Sequence, residues 1–482
     1  MKAKTNLHFI TILFVVFQGC TAQSGSTDVD INKPFTQEQQ LEDFELLEAI
    51  LREACPILNV HRTEEEVNIH FSNVKNSFTE PIRISDYYLK IGSALSFFQD
   101  GHLRSYIGND FYDSAAKEKS HIPVLIEFLN EKIYVTRNYS QSDKLKPRSE
   151  ILSINEVSSE AIISNFKSIH SSDGNNDHFK YHRMNNEFRS YLMYYFQFPT
   201  EYKMRVRTNG MSQESDIIVK ALDASTIEKK KPKPKPEKEL FSIDYDDERK
   251  TAVFRFTTFG DQDGEKQLRK IMKKLVNKCN KQGIETLIID IRDNSGGFDG
   301  NAAVVYSYLT ETSFKALNGR YLKTRALSFD EHLLNKNIEE TLKSVPAIQV
   351  GSEFKLDMAL DRIIQPNERV FTGDVYLLIN RATFSTATLF ANIFHNNKRG
   401  IIVGQDAGGG YYGDSGGVAY IVLPNSQMFV QIPLVRNEYI TREDHTDWIT
   451  IKPDVLVNLS IEDDSSENDE VMDKVLDLID NK

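Results

Sequence analysis

Apolar positions along this chain switch period twice, and the switches divide it. From Gln37 to Leu58 the residues Leu41, Phe44, Leu47, Ile50, Leu51 and Ala54 recur at helical spacing, which predicts an amphipathic helix. A second helix is predicted from Ser85 to Phe98, with Ser85 as N-cap and Tyr88, Ile91, Leu95 and Phe98 on one face. Beyond about His121 the period shortens to two, with strands expected at Ile122 to Phe128, Lys132 to Val135, Glu150 to Asn155, Tyr202 to Val206 and Asp216 to Val219. A short helix near Ser159 to Phe166 and an aromatic-rich segment, Tyr191 to Phe198, lie among them.

The second half alternates strand and helix. Ala252 to Phe259 reads as a strand, Gly264 to Asn280 as an amphipathic helix ending at Gly283, and Thr286 to Ile291 as a short buried strand of the parallel kind. The same order returns at Val375 to Ile379, an apolar helix through about Phe394, and Ile401 to Val403. Between the two, Thr312 to Arg369 is charged and reads as helix-rich, in the place of a lid or an insertion. Gly417 to Pro433 reads as a hairpin turning at Pro424-Asn425, and Val471, Val475, Leu478 and Ile479 mark a last amphipathic helix.

Breaks in pattern supply the boundaries. Lys229 to Lys238, KKKPKPKPEK, alternates Lys and Pro and is expected to be an extended spacer. The expected order is a signal segment over 1–20, a polar tether over 21–35, an N-terminal helical domain over 36–110 and a β-rich module over 111–225. A linker over 226–240, an α/β core over 241–462 and a C-terminal helix over 463–482 complete it.

At 482 residues the chain is expected to hold two to four domains. Its net charge of −12, with no basic stripe, argues against a nucleic acid partner. Lys2 and Lys4 precede the apolar run Phe9 to Phe17, then Gln18, Gly19 and Cys20, the order of an export signal too short to span a bilayer. The segment resembles a bacterial lipoprotein signal in which Cys20 is lipidated, with plain secretion and cleavage near Ala22 as the alternative. The remaining cysteines, Cys55 and Cys279, form no disulfide framework and no metal motif. Cys279 falls on the apolar face of its helix and is expected to be a packed thiol.

Candidate chemistry concentrates at turns that follow buried strands. Ser385 falls between a strand and an apolar helix, where its hydroxyl clears the sheet and the free amides of the helix start can receive negative charge. Capping of that helix by Thr383 or Ser385 is the simpler explanation. The run Asp290-Ile291-Arg292-Asp293-Asn294-Ser295-Gly296-Gly297 puts two glycines directly after a buried strand, which suits a phosphate loop or an oxyanion hole. Neither GxGxxG nor GxxxxGK[ST] is present, so the phosphate role is disfavoured. His102, in Asp100-Gly101-His102, follows a predicted helix end where a ring can be presented on a surface.

Together these blocks resemble the S41 serine peptidases, the family of the C-terminal processing proteases and the tricorn core proteases. IDIRDNSGG is similar to the family's D-[LIV]-R-x-N-x-G-G signature, NRATFSTATLFANIF with IIVGQDAGGG to its nucleophile segment, and DGHLRSY to the D-G-H-[TS] element of tricorn-like members. EILSIN resembles a segment of PDZ domains, although Pro147-Arg148-Ser149 stands where Pro-Gly is usual. The resemblance implies an α/β core of the ClpP/crotonase-like type with an N-terminal helical domain and a PDZ-like module that binds extended peptide by strand addition.

Residue by residue, it implies Ser385 as nucleophile, Gly297 and the amide of Thr386 as the oxyanion hole, and His102 as general base. The alternative base, a lysine 25 residues after the serine, is replaced by Gly410. The carboxylate that orients His102 is expected near Pro453-Asp454, with Asp447 and Glu443 ranked nearly equal. The serine that precedes the histidine in tricorn-type enzymes is here Gly101. The expected protein is an exported serine endopeptidase acting on peptides or unfolded proteins, with no metal or organic cofactor, in the bacterial cell envelope either as an outer-membrane lipoprotein or in the periplasm. An inactive peptide-binding relative and a carboxylester hydrolase are the alternatives.

Overall fold

A computed structural model describes residues 28–208, 214–232, 240–260, 264–357, 359–445, 448–458 and 469–482. The signal segment with Cys20, and Asp447, lie outside the described residues.

The C-terminal part is built on a six-stranded sheet in the order Val455–Leu456, Ile401–Gly404, Asp374–Ile379, Thr286–Asp290, Thr251–Phe256, Phe241–Asp246. All neighbours run parallel except the last, which pairs antiparallel as a hairpin. Alternation of side chains explains the continuous apolar runs of the central strands. Leu287, Ile289, Val375 and Leu377 enter the core formed with the helices Gly264–Gln282, Asp299–Ser307 and Thr386–Asn396. Ile288, Tyr376 and Leu378 point to the opposite face, where Val471 and Val475 of the C-terminal helix Glu470–Asp480 cover them.

A second sheet joins distant parts of the chain. Its order is Arg104–Tyr106, Phe429–Tyr439, Leu317–Leu322, Glu353–Leu356, Ala347–Val350, with Gly413–Val422 also paired to Phe429–Tyr439. The helices Gln37–Ala54, Glu64–Asn76 and Ile84–Ser96 share one apolar core with this sheet. Asp43, fully buried on the first helix, accepts the amides of Asn425 at 2.9 Å and Ser426 at 2.8 Å and so fixes the helices to the hairpin turn.

A third sheet is antiparallel throughout, in the order Val124–Leu129, Lys132–Asn138, Glu150–Ile154, Glu201–Arg207, Glu214–Lys220. The helices Ser159–Ser168 and Asp177–Tyr195 pack on it. One of its edges meets the nucleophile region: Arg381 Nη1 donates to Phe128 O at 2.9 Å, and Arg381 pairs with Glu127. Asn185 Oδ1 accepts the Phe128 amide at 2.9 Å, so this edge is already engaged.

Several expectations need correction. The stretch Thr312 to Arg369 is not helix-rich: it holds three strands, Leu317–Leu322, Ala347–Val350 and Glu353–Leu356, and one seven-residue helix, Ile338–Ser344. The aromatic segment from Tyr191 is the end of a 19-residue helix, its low intrinsic propensity overridden by burial of Phe188, Tyr191, Leu192 and Tyr194. Lys229 and Lys230 form the last turn of the helix Ala224–Lys230 rather than extended spacer. Ser85 lies inside its helix, which begins after Arg83. The hairpin strands are longer than expected, Gly413–Val422 and Phe429–Tyr439. Cys55 and Cys279 are both free and buried.

Candidate active site

Ser385 sits at the turn between the strand Asp374–Ile379 and the helix Thr386–Asn396 with φ 55° and ψ −128°. A non-glycine residue held there costs on the order of 1–3 kcal/mol, which surrounding structure must impose. The packing does so: Gly296 lies so close that a Cβ on it would stand 2.8 Å from Ser385 Cβ and 3.0 Å from Thr386 N. Ser385 makes no capping hydrogen bond to the helix it precedes. Thr383 does not cap it either, because its hydroxyl lies 3.0 Å from Asn380 N and 3.2 Å from Ile291 O. The capping explanation of these residues therefore fails.

The glycine pair is shaped by its neighbours. Gly297 has φ 145°, and a Cβ there would stand 2.5 Å from Gly260 O, so only glycine fits. Asn294 closes the loop, donating to Phe256 O at 3.1 Å and accepting the Gly296 amide at 3.0 Å. Thr386 Oγ1 lies 2.7 Å from Gly297 O and 2.6 Å from Asp299 Oδ1, which ties the helix start to the glycine loop. Among the described residues neither the Gly297 amide nor the Thr386 amide donates to a protein acceptor.

His102 arrives from the N-terminal part. Its Nε2 lies 3.2 Å from Ser385 Oγ across 283 residues of sequence. Asp100 Oδ1 accepts the amides of His102 at 2.9 Å and Leu103 at 3.0 Å and the Ser415 hydroxyl at 2.8 Å. Gln431 Nε2 donates to His102 O at 2.8 Å. The ring packs against Phe384, with centroids 4.6 Å apart, and Phe384 stacks on Phe179 at 4.1 Å. His102 is 6% exposed, and burial, helped by the charges of Arg183 and Arg104, draws its pKa down to about 3, which keeps it neutral.

The other ring nitrogen, Nδ1, is buried without a hydrogen-bond partner. Glu443 is exposed in a short 3₁₀ turn, Glu443–His445, and the structure does not bring it to that nitrogen. Two carboxylates that the sequence reading did not select, Asp100 and Asp173, each place an oxygen within 4.8 Å of a His102 ring nitrogen. This is the candidate donor set for a cation among the described residues, and the sequence reading assigned no metal here. Asp173 Oδ1 accepts the Gly101 amide at 2.6 Å and Oδ2 the Gly410 amide at 3.0 Å. Burial, then the charge of Asp100, pushes Asp173 up to about 7, and burial likewise raises Asp100. The signal for Asp100 was its place in Asp100-Gly101-His102. Asp173 lies in a Ser-Ser-Asp-Gly loop with no pattern to mark it.

Residues 250–457 match the model of peptidase family S41. Over that stretch the chain is similar to the peptidases of family S41. Likeness of fold to solved structures extends over nearly the whole chain. Mature CPAF is 15% identical, covers 92% of this chain and 98% of its own, and superposes with a TM-score of 0.59. CPAF complexed with lactacystin is 14% identical, covers 92% and 99%, and gives 0.60. The photosystem II D1 C-terminal processing protease is 12% identical over 87% and 93%, with a TM-score of 0.38. No curated protein matches the chain.

Proposed function

We propose that this protein is an exported serine endopeptidase that cleaves peptides or unfolded proteins through a Ser385 acyl-enzyme. The observation that carries the reading is the 3.2 Å approach of His102 Nε2 to Ser385 Oγ, made between two parts of the chain with no local reason to meet. A serine hydroxyl needs a neighbour to take its proton, and a neutral imidazole at hydrogen-bond distance is that neighbour. As Oγ attacks the carbonyl carbon, its proton passes to Nε2 and the carbonyl oxygen becomes an anion. The free amides of Gly297 and Thr386 receive that charge. His102 then returns the proton to the leaving amine, and a water, deprotonated by the same nitrogen, releases the acyl group.

The imidazolium formed in this step requires a carboxylate on the Nδ1 side. Asp447 and Glu443 are the family pattern's candidates, whereas Asp100 and Asp173 are favoured by their 4.8 Å proximity to the ring. The core is proposed to be of the ClpP/crotonase-like type. The antiparallel module is proposed to be PDZ-like and to take an extended peptide at the strand Glu214–Lys220, its other edge being engaged by Asn185 and Arg381. Export, lipidation of Cys20 and residence in the cell envelope rest on the N-terminal sequence pattern.

Fluorophosphonate labelling read by intact mass tests the reading. Adduct on the wild type, and none on Ser385→Ala or His102→Ala, is the expected result. A folded wild type that takes no adduct would move the assignment to a peptide-binding relative, and turnover of small esters without cleavage of unfolded protein would move it to an ester hydrolase.

A further inference from the structure

A basic face forms on the helix Gly264–Gln282. That helix carries six lysines, one arginine and a single acid, Glu265, in a chain whose net charge is −12. Leu268, Met272, Leu275, Val276 and Cys279 make up its buried side. At about 100° per residue, Lys266, Lys270, Lys273, Lys274 and Lys281 fall in one sector about 100° wide, opposite that buried side. All five are exposed. At about 1.5 Å rise per residue they extend over about 22 Å of the helix axis. The sequence reading expected no basic stripe, because these lysines are scattered through a mixed run and only the helix aligns them.

The charges are not spent inside the molecule. Among the described residues none of the five ammonium groups makes an ion pair: Glu265 is taken by Arg269 at 2.7 Å, and Lys278, at the margin, lies over the Tyr245 ring at 3.4 Å. A neighbouring segment adds a further cation. Arg369, also exposed, donates to Asn277 Oδ1 at 3.0 Å, and Asn277 falls in the middle of the same sector. Like charges three and four residues apart destabilise a helix, as Lys266 with Lys270 and Lys270 with Lys274 must here. A negatively charged surface laid against the sector relieves that repulsion.

We propose that this face is a docking surface for an anionic phospholipid bilayer, with the helix axis lying in the membrane plane. Five of the six cations are lysines, compact and strongly hydrated charges that suit a diffuse layer of headgroups better than bidentate recognition. No aromatic residue interleaves with them to stack a base, and no apolar residue of the sector offers a protein partner an anchor. A bilayer needs neither, since each lysine close to an anionic surface adds its own attraction. The rest of the chain carries the excess acid, so the field that draws this face repels the others and leaves one orientation. Neither Ser385 nor His102 takes part, so docking is as open to a peptide-binding relative as to a peptidase.

Co-sedimentation with vesicles tests the surface, using the full chain with Cys20→Ala so that no acyl chain contributes. Binding is expected to phosphatidylcholine vesicles holding about 30 mol% phosphatidylglycerol at about 0.1 M salt, and is expected to be lost at about 1 M. Pure phosphatidylcholine vesicles, which report any contribution of the apolar N-terminal run, are expected to bind at least about 50-fold more weakly. Combining Lys270→Gln, Lys273→Gln, Lys274→Gln and Lys281→Gln, in a protein that still melts cooperatively, is expected to cost at least about 50-fold in partitioning to the charged vesicles. Should that variant fail to fold, the single reversal Lys273→Glu is expected to cost about 10-fold. The same loss of charge elsewhere, by Lys203→Gln, Lys220→Gln, Lys336→Gln and Lys398→Gln together, is expected to leave partitioning within about twofold, these charges being screened from the lipid. Equal partitioning of the two fourfold variants, or of the wild type on charged and neutral vesicles, would overturn the assignment. Tighter binding to a DNA duplex or to polyglutamate than to the charged vesicles would also overturn it, in favour of a nucleic acid or an acidic protein.

Discussion

Gly410 donates its amide to Asp173 Oδ2 at 3.0 Å, in the sequence position where a lysine base would stand in the processing-protease branch. A Cβ on Gly410 would overlap the Gly413 carbonyl oxygen and come within 3.2 Å of Asp173 Cβ. A side chain here must displace the Gly413 carbonyl and press on Asp173, so Gly410→Lys is expected to lose labelling and destabilise the protein by roughly 1–3 kcal/mol. A Gly410→Lys protein that labels in a His102→Ala background would refute this.

The two glycines of the IDIRDNSGG loop predict different losses. Gly297→Ala forces a side chain against Gly260 O and N, 2.5 and 2.8 Å away, and is expected to lower thermal stability as well as labelling. Gly296→Ala instead presses on Ser385 Cβ and Thr386 N, so it is expected to retain more of its melting temperature and still lose at least about 100-fold in labelling rate. Equal rates for Gly296→Ala and wild type would remove the loop from the oxyanion site.

Opposite linkages meet around His102. Burial draws its ring from 6.5 to about 3, so between those values the unfolded chain takes a proton that the folded protein refuses, and this contribution to stability fades as pH falls from 6.5. Asp173 runs the other way. Its carboxyl is raised from 3.8 to about 7, so the folded protein keeps a proton that the unfolded chain sheds, and this contribution is lost as pH rises toward 7 and beyond. Asp173→Asn is therefore expected to gain on wild type by more at pH 8.5 than at pH 5, on the order of 1 kcal/mol or more. Melting curves at the two pH values check it, and an equal difference at both would mean that Asp173 is not strained by its charge.

Docking of the N-terminal helices has its own anchor. Asp43 takes the amides of Asn425 and Ser426, both without other backbone partners in the hairpin turn. Asp43→Ala leaves these donors stranded and is expected to cost roughly 2–4 kcal/mol in denaturant titrations and to slow labelling by displacing His102. Unchanged labelling kinetics in a destabilised Asp43→Ala protein would separate the two effects and reject the second.

Legibility in the sequence followed the strength of the local signal. The helix Gly264–Gln282 was readable because Leu268, Met272, Leu275 and Cys279 keep one face, and the central strands because continuous apolar runs need two covered faces. The turn at Ser385 and the glycines at 296 and 297 stood out in the sequence because strand ends and helix starts expose backbone amides. Arg104–Tyr106 was not, since three residues carry no period and the strand exists only by pairing with Gln431, Val430 and Phe429. The strands between Leu317 and Leu356 were missed because they are only four to six residues long and do not alternate cleanly, Arg320 being buried while Ile348 and Val350 are exposed. Asp173 was out of reach for a further reason: its meaning comes from Gly101 and Gly410, which the fold alone brings to it.

The separation of His102 from Ser385 also sets an order of events in time. Translation at ~5–20 residues per second makes the histidine about 15–55 s before the serine 283 positions later. On the proposed mechanism, the growing chain throughout that interval carries an imidazole with nothing to deprotonate, and afterwards a serine that waits for the first and last thirds of the polypeptide to meet. Hydrolytic competence is therefore a property that the molecule acquires last.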